Sequence, residues 1–151
     1  MRRTRPDHVE LIEKELTGRI IGAFFECHNI LRYGYLESVY RRALAIELSA
    51  RGLSVVEEAP VTVRYKGLPV GSFRLDLLVE GRVVVEAKAA ASLGAADKRQ
   101  LINYLRATDL EVGLLLHFGP EPRFERCINS ALLYGPRRDT ADNPATSVRS
   151  V

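Results

Sequence analysis

The chain has 151 residues, enough for one domain that buries a core without help from disulfides or a structural metal. Apolar residues make up 46% and charged residues 27%, an ordinary soluble balance, and no apolar run approaches the roughly 20 residues of a membrane span; with the two cysteines read as reduced, a cytoplasmic location is expected. A net charge of +3 does not by itself imply a nucleic-acid partner, although Arg2, Arg3, Arg5, Arg123, Arg126, Arg137 and Arg138 gather the excess near the ends.

The basic start at Arg2, Arg3 and Arg5 is followed by a polar amphipathic stretch where a signal peptide would be apolar, so export is not expected. From Asp7 onward, Val9, Ile12, Leu16, Ile20, Phe24, Cys27 and Leu31 recur every three or four residues, which predicts a long first helix with one buried face. Asp7 and Glu10 stand in the D-x-x-E relation of an N-terminal cap. Tyr33-Gly34-Tyr35 interrupts the period, and Leu36, Val39, Tyr40, Ala43 and Leu44 resume it as a second helix that should stop at Gly52. Cys27 and Cys127 show no metal-ligand spacing and read as core residues in a reducing compartment, which disfavours zinc. His8, His28 and His117 have no evident partner in the sequence, and His28 falls on the core-facing side of the first helix.

Val61, Val63 and Tyr65 alternate with Thr62 and Arg64 as a strand, Lys66-Gly67 supplies a turn, and Phe73 to Val79 is a second strand. Glu80-Gly81 turns again into a third strand, Val83 to Lys88. These three form an expected antiparallel meander, with Pro60 and Pro69 placed at strand ends. Ala95 to Ala107 has helical spacing at Leu101, Tyr104 and Leu105, and Val112 to Phe118 reads as a buried strand closed by Gly119-Pro120. Arg123 to Tyr134 fits either a short strand or a helix, and no internal repeat is visible. The expected organisation is one α/β domain over residues 1–134, followed by a disordered tail over 135–151.

Within the third strand, Glu86 and Lys88 are two apart and project from one face, while Val83, Val85 and Ala87 point to the other. Asp76 joins them only in one register. A two-residue turn at Glu80-Gly81 would oppose Asp76 to Val85, whereas a loop of odd length, such as Glu80-Gly81-Arg82, or a bulge opposes it to Glu86. Two carboxylates facing each other across strands repel unless a cation or a shared proton compensates them. With no His or Cys nearby, the ion suited to that site is Mg²⁺ or Mn²⁺. Spacing alone favours a plainer arrangement, in which Glu86 and Lys88 are a solvated pair and Asp76 is satisfied by backbone donors.

Asp76 followed after nine residues by Glu86-Ala87-Lys88 resembles the D…(D/E)xK signature of the PD-(D/E)XK nuclease superfamily. The order helix, helix, three-stranded meander, helix, strand resembles the restriction-endonuclease-like core of that superfamily, with its mixed central sheet. Gly34-Tyr35-Leu36-Glu37-Ser38-Val39-Tyr40 also resembles the motif of the GxxExxY family, and the likeness runs from about Ile20 to Ile128. The resemblance implies that Asp76 and Glu86 bind a divalent metal, with the Ala87 carbonyl and Glu37 as further ligands, and that Lys88 is the catalytic lysine. It further implies that Gln100 and Tyr104, similar to a Q-x-x-x-Y element of RecB-like nucleases, shape the active site. Two departures stand out: no proline occurs in Gly71-Ser72-Phe73-Arg74 ahead of Asp76, and Ala87 replaces a bulkier apolar residue. Read from the residues alone, Tyr104 among Leu101 and Leu105 fits core packing better than catalysis, and Glu37 fits solvent better than an inward position; counting the resemblance brings each to even terms.

The implied activity is Mg²⁺- or Mn²⁺-dependent hydrolysis of DNA or RNA phosphodiesters. Two alternatives share the fold: a catalytically silent module that binds nucleic acid, and an interaction protein acting as a homodimer.

Overall fold

The computed structural model describes residues 13–129, and these build three helices against one five-stranded sheet. Helix α1 spans Lys14–Leu31, α2 spans Glu37–Ala50 and α3 spans Ala95–Thr108. The strands are β1 (Val55–Tyr65), β2 (Leu68–Val79), β3 (Val83–Lys88), β4 (Val112–Phe118) and β5 (Pro122–Ile128), in the spatial order β1-β2-β3-β4-β5. All neighbours pair antiparallel except β3 and β4, which are parallel and are joined through α3. The result is the expected α/β core with a mixed sheet.

Each face of the sheet carries its own apolar cluster. Leu16, Ile20, Phe24, Tyr40, Leu44 and Leu48 of α1 and α2 pack on Leu77, Val79, Val83, Val85, Ala87, Leu114 and Leu116. On the opposite face, Leu101 and Leu105 of α3 pack on Ala59, Val61, Leu75, Leu78, Val84, Leu115 and Cys127. Strand β4 is buried along its whole length because both faces are covered, which is why it reads as an unbroken apolar run.

The turn between α1 and α2 shows why its sequence is so particular. Gly34 takes φ +126°, a conformation that side chains rarely adopt. Tyr40 is fully buried, its ring stacked on Phe118 at 4.5 Å between centroids. Its hydroxyl donates to the Arg32 carbonyl and accepts from the Tyr35 N–H, so a single side chain pins the turn to the core.

Several expectations need correction. The first helix does not run unbroken from Asp7: Glu13 is left-handed (φ 54°) and helix α1 begins after it, while Asp7 and Glu10 lie outside the described residues. Pro60 is not at a strand end but inside β1, opposite Arg74; β1 is an outer strand, where a residue without an N–H is tolerated. Strand β2 starts at Leu68, earlier than Phe73, because the β1–β2 hairpin continues past the covered part of the sheet. The ambiguous segment is strand β5 from Pro122 to Ile128, and the part of it beyond Asn129, with the tail from Gly135, lies outside the described residues.

Both cysteines are free and buried, as core residues should be. His28 is also buried and shares a hydrogen bond with the Gly119 carbonyl at 2.8 Å. Asn129, which the sequence did not single out, donates to the carbonyls of Leu105 and Leu110 and so ties the end of α3 to β5.

Helix α3 lies close on β4 at Gly113, where an added Cβ would sit 2.7 Å from Leu101 Cδ1 and 3.1 Å from its Cγ. Leu101 is fully buried and has little room to yield. Gly113→Ala is therefore expected to lower stability by about 1–3 kcal/mol through overpacking. Urea unfolding would measure it, and an unchanged or raised midpoint would contradict this account of the α3 contact.

Candidate active site

The geometry of the site follows from the hairpin between β2 and β3. Val79 pairs with Val83, Leu78 with Val84 and Leu77 with Val85, so Glu80-Gly81-Arg82 is the odd loop that brings Asp76 opposite Glu86. Glu80 and Gly81 both have positive φ (54° and 63°), and Arg82 N–H closes the turn onto the Val79 carbonyl at 3.0 Å.

Beyond Leu77↔Val85 the ladder between β2 and β3 stops, and two side chains take over from the missing carbonyl acceptors. The Asp76 N–H donates to Glu86 Oε1 at 3.1 Å, and the Ala87 N–H donates to Asp76 Oδ2 at 2.9 Å. Each acid thus serves the backbone of the other's strand. These reciprocal bonds hold the two carboxyl groups beside each other.

At the same point β1 and β2 reverse their facing. Phe73 and Leu75 belong to the α3 side of the sheet, whereas Leu77 and Val79 belong to the α1–α2 side, although all four are two apart. Opposite Asp76, Glu58 is left-handed (φ 50°), and the ladder skips this pair between Glu57↔Leu77 and Ala59↔Leu75. The irregularity is therefore shared by two strands and centred on Asp76.

Glu86 lies on the α3 side, 3% exposed. Burial, and next to it the charge of Asp76, push its carboxyl from 4.5 up to about 8, with Lys88 acting in the opposite direction. Lys88 projects from the same face and donates from Nζ to Gln100 Oε1 of α3 at 3.1 Å. Tyr104, one turn beyond Gln100, is half-buried and stacked on Phe73 at 4.2 Å between centroids. Burial first, and then the nearby Glu86 and Asp76, raise its phenol above the usual range.

Of the residues singled out from the sequence, Asp76, Glu86, Lys88, Gln100 and Tyr104 come together at the α3 side, and Ala87 joins them through its backbone while its methyl packs on the α1–α2 face. Glu37 does not join them: it is exposed at the first turn of α2, which packs on the other face of the sheet. Among the described residues no group of three or more His, Cys, Asp or Glu side chains gathers as a metal site. His117 is a residue the sequence reading left aside: it is 4% exposed, pairs in register with Lys88, and donates from Nε2 to the Ala90 carbonyl at 2.6 Å. Its position beside Lys88 was hidden because it depends on the parallel pairing of β3 with β4.

The two-carboxylate arrangement fits one hard divalent ion. Such ions as Mg²⁺ take only one or two protein carboxylates and keep waters elsewhere. Each acid has one oxygen committed to an N–H of the other's strand.

A family model described as the PD-(D/E)XK nuclease superfamily matches residues 14–127 of this sequence. The chain belongs to that superfamily. Among solved structures, the crystal structure of SSO0001 is similar at a TM-score of 0.50 and 19% identity, with 94% of this chain and 66% of that chain covered, a likeness in fold. This chain thus spans about two thirds of that neighbour's length. A search of curated proteins finds no match. Among the described residues no helix is long and apolar enough to cross a membrane.

The raised carboxyl has a consequence for metal-free protein. Folding favours protonated Glu86, so the stability it contributes is complete below about pH 4.5 and is lost as pH rises to about 8. The expected slope in that window is at most roughly 1.4 kcal/mol per pH unit. Urea midpoints measured in chelator from pH 4 to pH 9 should decline for wild type and much less for Glu86→Gln; parallel profiles would contradict the burial of the Glu86 carboxyl beside Asp76.

Proposed function

We propose that the protein is a metal-dependent nuclease that hydrolyses phosphodiester bonds of DNA or RNA. The observation that carries this reading is the pair of acids held together where β2 and β3 part, with an ammonium on the same surface. Superfamily membership supports it independently.

In this reading Asp76 and Glu86, with the Ala87 carbonyl, would hold Mg²⁺ or Mn²⁺. Bound there, a divalent ion acidifies a water and offsets the charge that builds on the phosphoryl oxygens during in-line attack. Lys88 places its ammonium against the attacking water or a phosphate oxygen. Gln100 accepts a hydrogen bond from that ammonium and fixes its direction, which leaves the remaining N–H groups of Nζ to face the substrate. Tyr104, braced by Phe73, forms a wall of the site and keeps its proton, so it can donate to a phosphate oxygen. Water oxygen bonds to phosphorus as the bond from phosphorus to the departing sugar oxygen breaks.

The finer assignment to the GxxExxY group has its own support. Gly34 and Tyr40 are both accounted for by the geometry of the α1–α2 turn, the first by its positive φ and the second by its two hydrogen bonds. Glu37 has no such structural role: no hydrogen bond or ion pair holds it among the described residues. An exposed acid without a structural partner, set between two residues that have one, is suited to a functional part.

Asp76→Asn and Lys88→Ala should each reduce Mg²⁺- or Mn²⁺-dependent cleavage of plasmid, single-stranded DNA and RNA by on the order of 10²-fold or more while circular dichroism stays unchanged. If wild type cuts none of these polymers with either ion, or the variants cut as well as wild type, the enzymatic reading fails.

A further inference from the structure

The strand registers continue the candidate site across the sheet. Lys88 pairs with His117, and His117 pairs with Arg123, so the three side chains stand in one row across β3, β4 and β5. Partners in register share a face, and here it is the α3 side: Val84, Leu115 and Cys127 belong to the cluster under α3 and have the same parity as Lys88, His117 and Arg123. From Lys88 to Arg123 is two strand spacings, about 10 Å.

Over His117 and Arg123 of this row, next to Lys88, lies an open groove of about 680 Å³ that is lined further by Ala91, Ser92, Leu93 and Pro122. Its floor is His117, and the floor is built rather than incidental. The Ala90 carbonyl can only accept, so His117 Nε2 carries the proton and the ring is fixed in one orientation. The ring lies so close over Gly119 that an added Cβ there would be 2.5 Å from His117 Cε1. Both acids near Arg123 are already engaged: Glu125, which also lines the groove, pairs with Lys98 at 3.7 Å, and Glu121 pairs with Arg123 itself at 3.0 Å. The Glu121–Arg123 pair is 74% and 72% exposed, so water screens it and an incoming anion can displace the carboxylate at little cost.

We infer that this groove holds the nucleotide next to the scissile bond of a nucleic-acid strand, with Arg123 on the flanking phosphate and the sugar over His117. The inference rests on the nuclease reading for where the scissile phosphate sits, beside Lys88. A guanidinium suits the second phosphate because its planar fork of donors matches phosphate oxygens. The small side chains of Ala91 and Ser92 leave room for the chain to pass. Extended substrates therefore gain contacts that a minimal phosphodiester cannot make.

Two exposed positions allow a test without disturbing the core, Arg123→Glu to reverse the charge and Ser92→Trp to fill the groove. Binding is read first, using the full chain with Lys88→Ala so that no turnover occurs, and a fluorescent single-stranded DNA 12-mer as the probe. Each added substitution should weaken binding by about tenfold, and Arg123→Glu should also flatten the dependence of affinity on salt. Turnover is read second, with Lys88 intact: kcat/KM should fall at least tenfold more on the 12-mer than on bis(p-nitrophenyl) phosphate, which cannot reach Arg123. Unchanged binding in both variants, or no binding of the probe at all, overturns the groove whatever the turnover data show. Absence of any cleavage by wild type sinks the nuclease reading instead, and the binding measurements then still decide the groove.

Discussion

The structure turns on the place where β2 leaves β3. A strand that departs from its neighbour exposes backbone N–H groups, and an unpaired buried donor costs about 1–3 kcal/mol. Here Asp76 and Glu86 supply the acceptors, each for the strand of the other. Hydrogen bonds to a charged acceptor are worth about 1.5–3 kcal/mol each. Against them stand the burial of Glu86 and the charge of Asp76, which raise its carboxyl from 4.5 to about 8 even with the Asp76 backbone bond in place. The backbone bonds thus keep the acids adjacent without removing their excess negative charge. The fold thereby creates a site that gains by capturing a cation or a proton.

The two faces of the sheet divide the labour. On one side α1 and α2 form a mainly apolar platform, in which Phe24 and Tyr40 grip Phe118 edge-on and face-on, at 4.8 Å and 4.5 Å between centroids. On the other side α3 covers only the part of the sheet near Leu101 and Leu105 and leaves Glu86, Lys88 and His117 at its margin. The reversal of facing at Glu58 and Asp76 makes this possible. Phe73 and Leu75 are turned to the α3 side, where Phe73 braces Tyr104, while Leu77 and Val79 still close the platform beneath the site.

How far the sequence reveals this depends on whether a feature is periodic. The helices and the buried strand β4 are legible because their apolar spacing is regular. The register of Asp76 with Glu86 is legible only in part: the sequence leaves a two-residue turn, an odd loop and a bulge open, and the pairing of Val79 with Val83 is what selects the loop Glu80-Gly81-Arg82. The facing reversal is not legible: Leu75, Leu77, Leu78 and Val79 are all apolar and all buried, so the run carries no mark of where the strand turns over. Pro60 misleads for a related reason, because a proline excludes only a strand with neighbours on both sides and the sequence does not say that β1 is outermost. His117 and Asn129 escape notice because their partners are backbone carbonyls, which every residue possesses and none advertises. Glu37 reads well as part of a motif, yet the motif does not reveal which face of the sheet its helix covers.

The charges around the acid pair bear on what the site can bind. Two carboxylates are opposed by one nearby ammonium, and that ammonium points its hydrogen bond at the neutral amide of Gln100, with no ion pair to Asp76 or Glu86 among the described residues. An arrangement meant only for stability would close the lysine onto the acids, since a buried charge left unpaired is costly. Gln100 instead holds the ammonium aside, on the same face but free to meet a second anion. The site thus keeps a negative locus and a positive locus apart, within reach of one another and unneutralised. A phosphodiester approached by a divalent cation presents the matching pair of charges, and a lone metal ion or a lone anion satisfies only half of the arrangement.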